Sequence, residues 1–157
     1  MAPERRRRLR LAFMAIRAGM AAPDARRWLG ERRWAREESR DAALLVELAA
    51  ASAAIRSARD RCRWVLAAGA LSEDALVLLD CLGASNKRRA RSLAPLARAP
   101  RRRVAVSGDD VVRWLGLEPG PRVGELLALL RVAAAMGEVQ NRRQARHWLT
   151  GQVRQGP

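Results

Sequence analysis

Pro119, Gly120 and Pro121 leave the backbone around them few conformations. The two prolines preset φ, the glycine between them supplies a conformation closed to most residues, and Pro121 suits the first turn of a helix, where its missing N–H leaves no hydrogen bond unmade. A helix is therefore predicted from about Pro121. Along it Val123, Leu126, Leu127, Leu130 and Ala134 recur at the spacing of one buried face, and Gly137 stands where a left-handed C-terminal cap belongs. Asn141 opens a further helix, with Gln144 three residues on as its capping-box partner and Ala145, Trp148 and Leu149 facing inward. Before the Pro-Gly-Pro turn, Ser-Gly-Asp-Asp at 107–110 reads as a cap leading into a short helix that carries Val111, Val112, Trp114 and Leu115. Residues 105–157 thus read as helix, turn, helix, turn, helix.

Helical spacing continues upstream. Leu9, Ala12, Phe13 and Ile16 line one face of a first helix that stops near Gly19, and Pro23-Asp24 starts a second bearing Trp28 and Leu29. Leu45, Leu48, Ala49, Ser52 and Ile55 mark a third from about Glu37 to Arg56, and a fourth from Ser57 turns Cys62, Val65 and Leu66 inward. Ser72 is read as the cap of a fifth, with Glu73 and Asp74 as charges in its first turn and Gly83 near its end. Val104 to Val106 is too short to count as a strand. Asn86 to Arg103 holds eight basic residues and no acidic one, and Pro95 and Pro100 interrupt any long helix there. The expectation is an all-α chain of about eight short helices in two lobes: a helical body over 1–96, a basic linker over 97–104 and a helical tail over 105–157.

Charge narrows the partner. The 157 residues include 31 Lys and Arg against 16 Asp and Glu, a net charge of +15, and Lys87 is the single lysine. Such an excess points to a polyanion, because neutralising phosphates releases counterions, although an Arg-rich composition also arises from base-composition bias in a genome. No run is apolar and long enough to span a bilayer, and Arg5 to Arg8 lack the apolar segment and cleavage site of a secretory signal, so a cytoplasmic protein without a membrane partner is expected. Cys62 and Cys81 have no CxxC spacing and read as buried free thiols. The tryptophans at 28, 34, 64, 114 and 148 sit beside Leu and Val at helical spacing and read as core more readily than as base-stacking platforms.

Residues 106–149 resemble the C-terminal part of bacterial class II CCA-adding tRNA nucleotidyltransferases and the related poly(A) polymerases. The likeness rests on an ordered set: Gly108 with Asp110 and Val111, the Leu115 to Pro121 turn, Gly124 with Leu127, and Gly137 to Arg142. Asp109 departs from it, since the family often carries a basic residue there. The resemblance implies an all-α body and tail that bind tRNA or another structured RNA in 3′-end processing, with the family's catalytic head supplied by a separate chain or lost by truncation.

Catalysis would require carboxylates spaced to hold divalent metal. Asp109-Asp110, Glu37-Glu38 and Glu73-Asp74 each precede a helix and read as caps or helix-start charges, and His147 is the single histidine, so no catalytic residue, metal ligand or cofactor is assigned. The expected RNA contacts are Lys87, Arg88, Arg89, Arg91, Arg101, Arg102 and Arg103 in the basic stretch, Gly120, Arg122 and Gly124 at the helix start, and Arg142, Arg143 and Arg146 opposite the Trp148 and Leu149 face. The turn admits two readings together: Gly124 lets two helices pack closely, and free N–H groups bind a phosphate. Arg5, Arg6 and Arg8 are read as part of a fraying tail. The alternative is a helical protein-interaction or DNA-binding module whose arginine excess is compositional.

Overall fold

The computed structural model describes residues 2–32, 34–99 and 104–154. Those residues are all-α: nine α-helices and no strand. They fall into two compact units, Met1–Ala99 and Pro100–Pro157, each with its own apolar core.

The first unit contains α1 (Pro3–Arg17), α2 (Ala22–Glu31), α3 (Arg36–Ala51), α4 (Ala58–Ala68), α5 (Ser72–Cys81) and α6 (Ala84–Arg98). Helix α3 packs against α1, α2 and α5, and α6 lies along α5 and α4. Leu29, Leu45, Leu79 and Leu93 are fully buried at the centre. The buried Trp64 donates its indole N–H to the Leu48 carbonyl at 2.8 Å, which gives the polar edge of a core ring a partner.

Several local expectations give way to side-chain hydrogen bonding. Helix α3 stops at Ala51 rather than continuing to Arg56, because the Ser52 hydroxyl donates to the Ala49 carbonyl at 2.7 Å and the backbone tightens into a 3₁₀ turn at Ser52–Ala54. Ser57 and Asp60 then form a capping box that starts α4. Ser72 is the first residue of α5 and not its side-chain cap, since its hydroxyl points back to the Gly69 carbonyl at 2.6 Å. Helix α6 is the one beyond the eight expected, and it covers most of the basic stretch 86–103 in which Pro95 and Pro100 are expected to interrupt any long helix. It runs through Pro95 because burial of Ala90 and Leu93 against α5 and α4 outweighs the hydrogen bond that proline omits. Cys62 is buried as expected, whereas Cys81 is exposed.

Asp74 is the main departure in this unit. It is a buried carboxylate, not a solvated helix-start charge. One of its oxygens accepts from the Arg5 guanidinium, and the other accepts from Arg8 Nε at 2.6 Å. Arg8 also reaches Asp41 at 3.3 Å. The N-terminal arginines are therefore not a fraying tail: α1 begins at Pro3 and is tied to α5 and α3 by ion pairs. Glu73, one residue earlier, is exposed and takes a two-pronged contact from Arg98 at 3.0 and 3.4 Å, which fastens the end of α6 to the start of α5.

Removing the Asp74 carboxylate leaves two arginines without their shared partner. Asp74→Ala should lower the unfolding free energy of this unit by about 1–3 kcal/mol, the cost of leaving buried polar groups unmatched, with the partial exposure of both arginines keeping it below a fully buried pair. Urea unfolding followed by circular dichroism checks this, and a change under about 0.5 kcal/mol, the scatter of ordinary surface substitutions, would contradict it.

Candidate nucleic-acid interface

The second unit is built from α7 (Gly108–Leu115), α8 (Pro121–Ala135) and α9 (Arg142–Arg154), each packed on the other two. Val111, Val123, Leu126, Leu130, Ala133, Val139, Ala145 and Leu149 form its core. Gly116 takes the left-handed conformation (φ 62°) that ends α7, and Gly137 (φ 80°) follows α8, so both helices stop where glycine tolerates a conformation that side chains rarely adopt.

One carboxylate organises the helix starts. The Ser107 hydroxyl accepts from the Asp110 N–H at 3.2 Å while Asp110 Oδ2 accepts from the Ser107 N–H at 3.1 Å, a reciprocal capping box at the start of α7. The other oxygen, Oδ1, accepts from the guanidinium of Arg142, the first residue of α9. Arg142 also lies over the Trp114 ring, 5.4 Å from its centroid. The Ser107 N–H foremost, then the Ser107 hydroxyl and the charges of Arg142 and Arg113, outweigh desolvation and hold the Asp110 carboxyl below the usual carboxylate range. Arg142, grouped by sequence with the outward arginines, is exposed and in addition ties the start of α9 to Asp110.

Beyond Arg142, α9 has one buried face and one exposed face. Asn141 caps it by accepting the Gln144 N–H at 2.9 Å, and Gln144 accepts from the N–H of Gln140 at 2.8 Å instead of closing a box with Asn141. Ala145 and Leu149 are fully buried and Trp148 half-buried. On the opposite face Arg143, Arg146, His147, Thr150 and Gly151 line a shallow cleft of about 370 Å³. No carboxylate lines it, and no acidic residue follows Glu138 in the chain. The spacing 143, 146, 147, 150 puts these residues on one face of a helix, a signal already in the sequence that identifies His147 and Thr150 beside the two arginines.

The start of α8 is arranged differently from expectation. Gly120 is extended (φ 175°), a conformation open to any residue, and a Cβ added at either Gly120 or Gly124 would meet nothing within 4 Å. Gly124 therefore does not permit a close helix packing, because Val123, Leu126 and Leu130 provide the inward face while Gly124 is exposed. Arg122 is also exposed, and the first turn of α8 carries neither an acidic residue nor a side-chain cap.

The basic stretch 86–103 begins on α6 of the first unit. Lys87, Arg88 and Arg91 share the exposed face with Arg98, yet Lys87 is 3.7 Å from Asp80 and Arg98 is held by Glu73. Arg89 is half-buried and donates to Asn86 at 2.8 Å. Arg88 and Arg91 are left outward, while Arg101, Arg102 and Arg103 lie outside the described residues. Among the described residues no three His, Cys, Asp or Glu side chains come together as a metal site would require, and no helix is long and apolar enough to cross a membrane.

Known proteins share part of this chain. A CC-adding tRNA nucleotidyltransferase from Geobacter sulfurreducens is 47% identical over 47 residues, which cover 30% of this chain and 11% of that protein. An A-adding tRNA nucleotidyltransferase from Deinococcus radiodurans is 54% identical over 41 residues, 26% of this chain and 9% of the relative. A CCA-adding enzyme from a Geobacillus species is 42% identical over 50 residues, 31% and 12% of the two lengths. The chain thus matches about a tenth of the length of these relatives and is similar to tRNA nucleotidyltransferases over about 30% of its own. No protein-family model and no solved structure matches it.

Two substitutions test this geometry. Gly124→Ala should raise the stability of the second unit by about 0.5–1 kcal/mol, since an exposed helical glycine with open space gains from a methyl group, and a decrease in urea unfolding would show a close approach at that position. Asp110→Asn tests the pairing. A carboxyl held below the ordinary aspartate value of 3.8 stabilises the fold fully above that pH and ceases to contribute as pH falls through the lowered value. The wild type should therefore become less stable on acidification from about pH 5 downward, and Asp110→Asn should start lower at neutral pH with a flatter acid slope. Parallel acid profiles would show that the Asp110 charge does not hold these helices.

Proposed function

We propose that this chain binds structured RNA, tRNA above all, as the non-catalytic part of a tRNA nucleotidyltransferase-like system acting at the tRNA 3′ end. Nucleotide addition is supplied by a catalytic domain outside these 157 residues, in the same or another polypeptide. The carrying observation is the α9 cleft, where Arg143, Arg146, His147 and Thr150 converge without a carboxylate. Guanidinium groups on a rigid helix suit phosphodiester oxygens, whereas the Thr150 hydroxyl donates to the Arg146 carbonyl at 2.9 Å and lines the cleft without a free proton, and a surface that reads backbone and shape suits a folded RNA. Similarity to CC-adding, A-adding and CCA-adding enzymes supports a tRNA-related role and narrows the RNA class. The exposed start of α8, with Gly120, Arg122 and Gly124, and Arg88 and Arg91 of α6 are proposed as secondary contacts.

Binding should depend on those two α9 arginines more than on charge at large. In Arg143→Gln/Arg146→Gln, the slope of log affinity against log salt should become shallower by about 0.7 to 0.9 for every phosphate that no longer has its arginine. Stability should barely change because both side chains are exposed. Arg26→Gln/Arg27→Gln, on the exposed face of α2, serves as the charge-matched control. Arg5 and Arg8 are unsuitable for that purpose because they hold Asp74. Fluorescence anisotropy with tRNA and with duplex DNA makes the comparison. Equal weakening in the two double variants would reduce RNA binding to net charge, and tighter binding of duplex DNA would favour the alternative of a DNA-binding module.

A further inference from the structure

A second surface of the first unit has a different chemistry. Helices α1 and α5 border a groove of about 410 Å³ lined by Arg6, Leu9, Arg10, Phe13, Met14, Val77, Leu78 and Cys81. Met14 and Val77 are 55% and 39% exposed, two of the three exposed large hydrophobic side chains among the described residues. Arg6 and Arg10 stand at its edge, and among the described residues no carboxylate pairs with either. Their neighbours Arg5 and Arg8 are engaged by Asp74 on another face of the same helix. Helical spacing puts Arg6, Arg10, Phe13, Met14 and Arg17 on one side of α1, so an apolar strip runs beside a line of cations.

We infer that this groove docks an amphipathic helix of another protein, one that presents an apolar face flanked by Asp or Glu. The apolar lining requires buried hydrocarbon, which a sugar-phosphate backbone does not offer, and the unpaired arginines require acids beside it. A second copy of this chain is a poor occupant, because at +15 the copies repel. The groove belongs to the first unit and the α9 residues proposed for RNA to the second, so the docking proposal does not rest on the RNA reading.

A synthetic helix serves as the probe. A peptide of about 20 residues, with Leu at i, i+3, i+4 and i+7 and Glu on both flanks, is titrated into the intact chain and followed by anisotropy. It should bind, and Met14→Glu/Val77→Glu, at exposed positions compatible with folding, should weaken it at least tenfold, about 1.4 kcal/mol. Arg6→Gln/Arg10→Gln should weaken it several-fold and remove most of its salt dependence. Because Cys62 is buried, Cys81 is the thiol that reacts with a disulfide reagent, and the peptide should slow that reaction. Absence of binding, or binding unchanged in both double variants, overturns the inference. So does protection of Cys81 by a single-stranded RNA of similar length, which would make the groove a nucleic-acid site, or protection that grows with protein concentration alone, which would make it a self-interface. Variants at Arg143 and Arg146 should leave the peptide affinity unchanged, which separates failure here from failure of the RNA proposal.

Discussion

The second unit depends on how the two oxygens of Asp110 are divided. Oδ2 completes the capping box that starts α7, and Oδ1 holds the guanidinium that opens α9. Two helix starts are therefore tied to a single side chain, whose arginine partner stands 32 residues away in the chain. That tie sets the rotation of α9 about its axis: with Arg142 drawn toward Asp110 and Trp114, Ala145 and Leu149 turn into the core and Arg143, Arg146, His147 and Thr150 turn out. The apolar core alone would leave more freedom, because helices with small buried residues slide and rotate at modest cost. Anchoring α9 by its first residue makes the outer face a fixed array instead of a loose set of charges.

Composition gives one number for arginine, whereas the fold sorts the arginines into kinds. Arg5, Arg8, Arg98 and Arg142 hold carboxylates and fasten helices together. Arg7 and Arg32 lie over the rings of Trp34 and Trp28 at 5.8 and 4.5 Å, so part of each side chain is used in packing. Arg6, Arg10, Arg143 and Arg146 face outward without a carboxylate partner among the described residues. The last four carry the proposed binding, two beside hydrocarbon and two beside a histidine and a hydroxyl. The same side chain thus suits two ligand classes because its surroundings differ.

The all-α class is legible in the sequence because spacing of three and four recurs along nearly the whole chain, and α8 and α9 follow from Pro121, Gly137 and Asn141. Features that depend on distant partners are hidden. Nothing near Asp74 in sequence announces that Arg5, 69 residues away, will meet it, so a buried anchor resembles a helix-start charge and its arginines a loose tail. Helix α6 is obscured by Pro95 and by its cations, since the apolar positions 90, 93 and 97 show their value only when α4 and α5 lie beneath them. Gly124 resembles a packing glycine because it stands one turn from a tight bend, and the distinction between close approach and open space belongs to three dimensions. In the candidate site, helical spacing puts Arg143 and Arg146 on one outer face but does not announce the Arg142–Asp110 pair, because that partner lies across the fold.

If RNA phosphates sit on the outer face of α9, they should shield particular arginines from chemistry, and arginine-selective modification reads this residue by residue. The intact chain is treated with phenylglyoxal with and without a saturating tRNA, and the extent of modification at each arginine is measured by mass spectrometry. Bound tRNA should slow modification of Arg143 and Arg146 strongly, change Arg142 little because Asp110 already holds it, and leave Arg26 and Arg27 as reactive as before. Protection spread evenly over the exposed arginines, or confined to the first unit while Arg143 and Arg146 react at their free rate, would contradict an RNA site on α9.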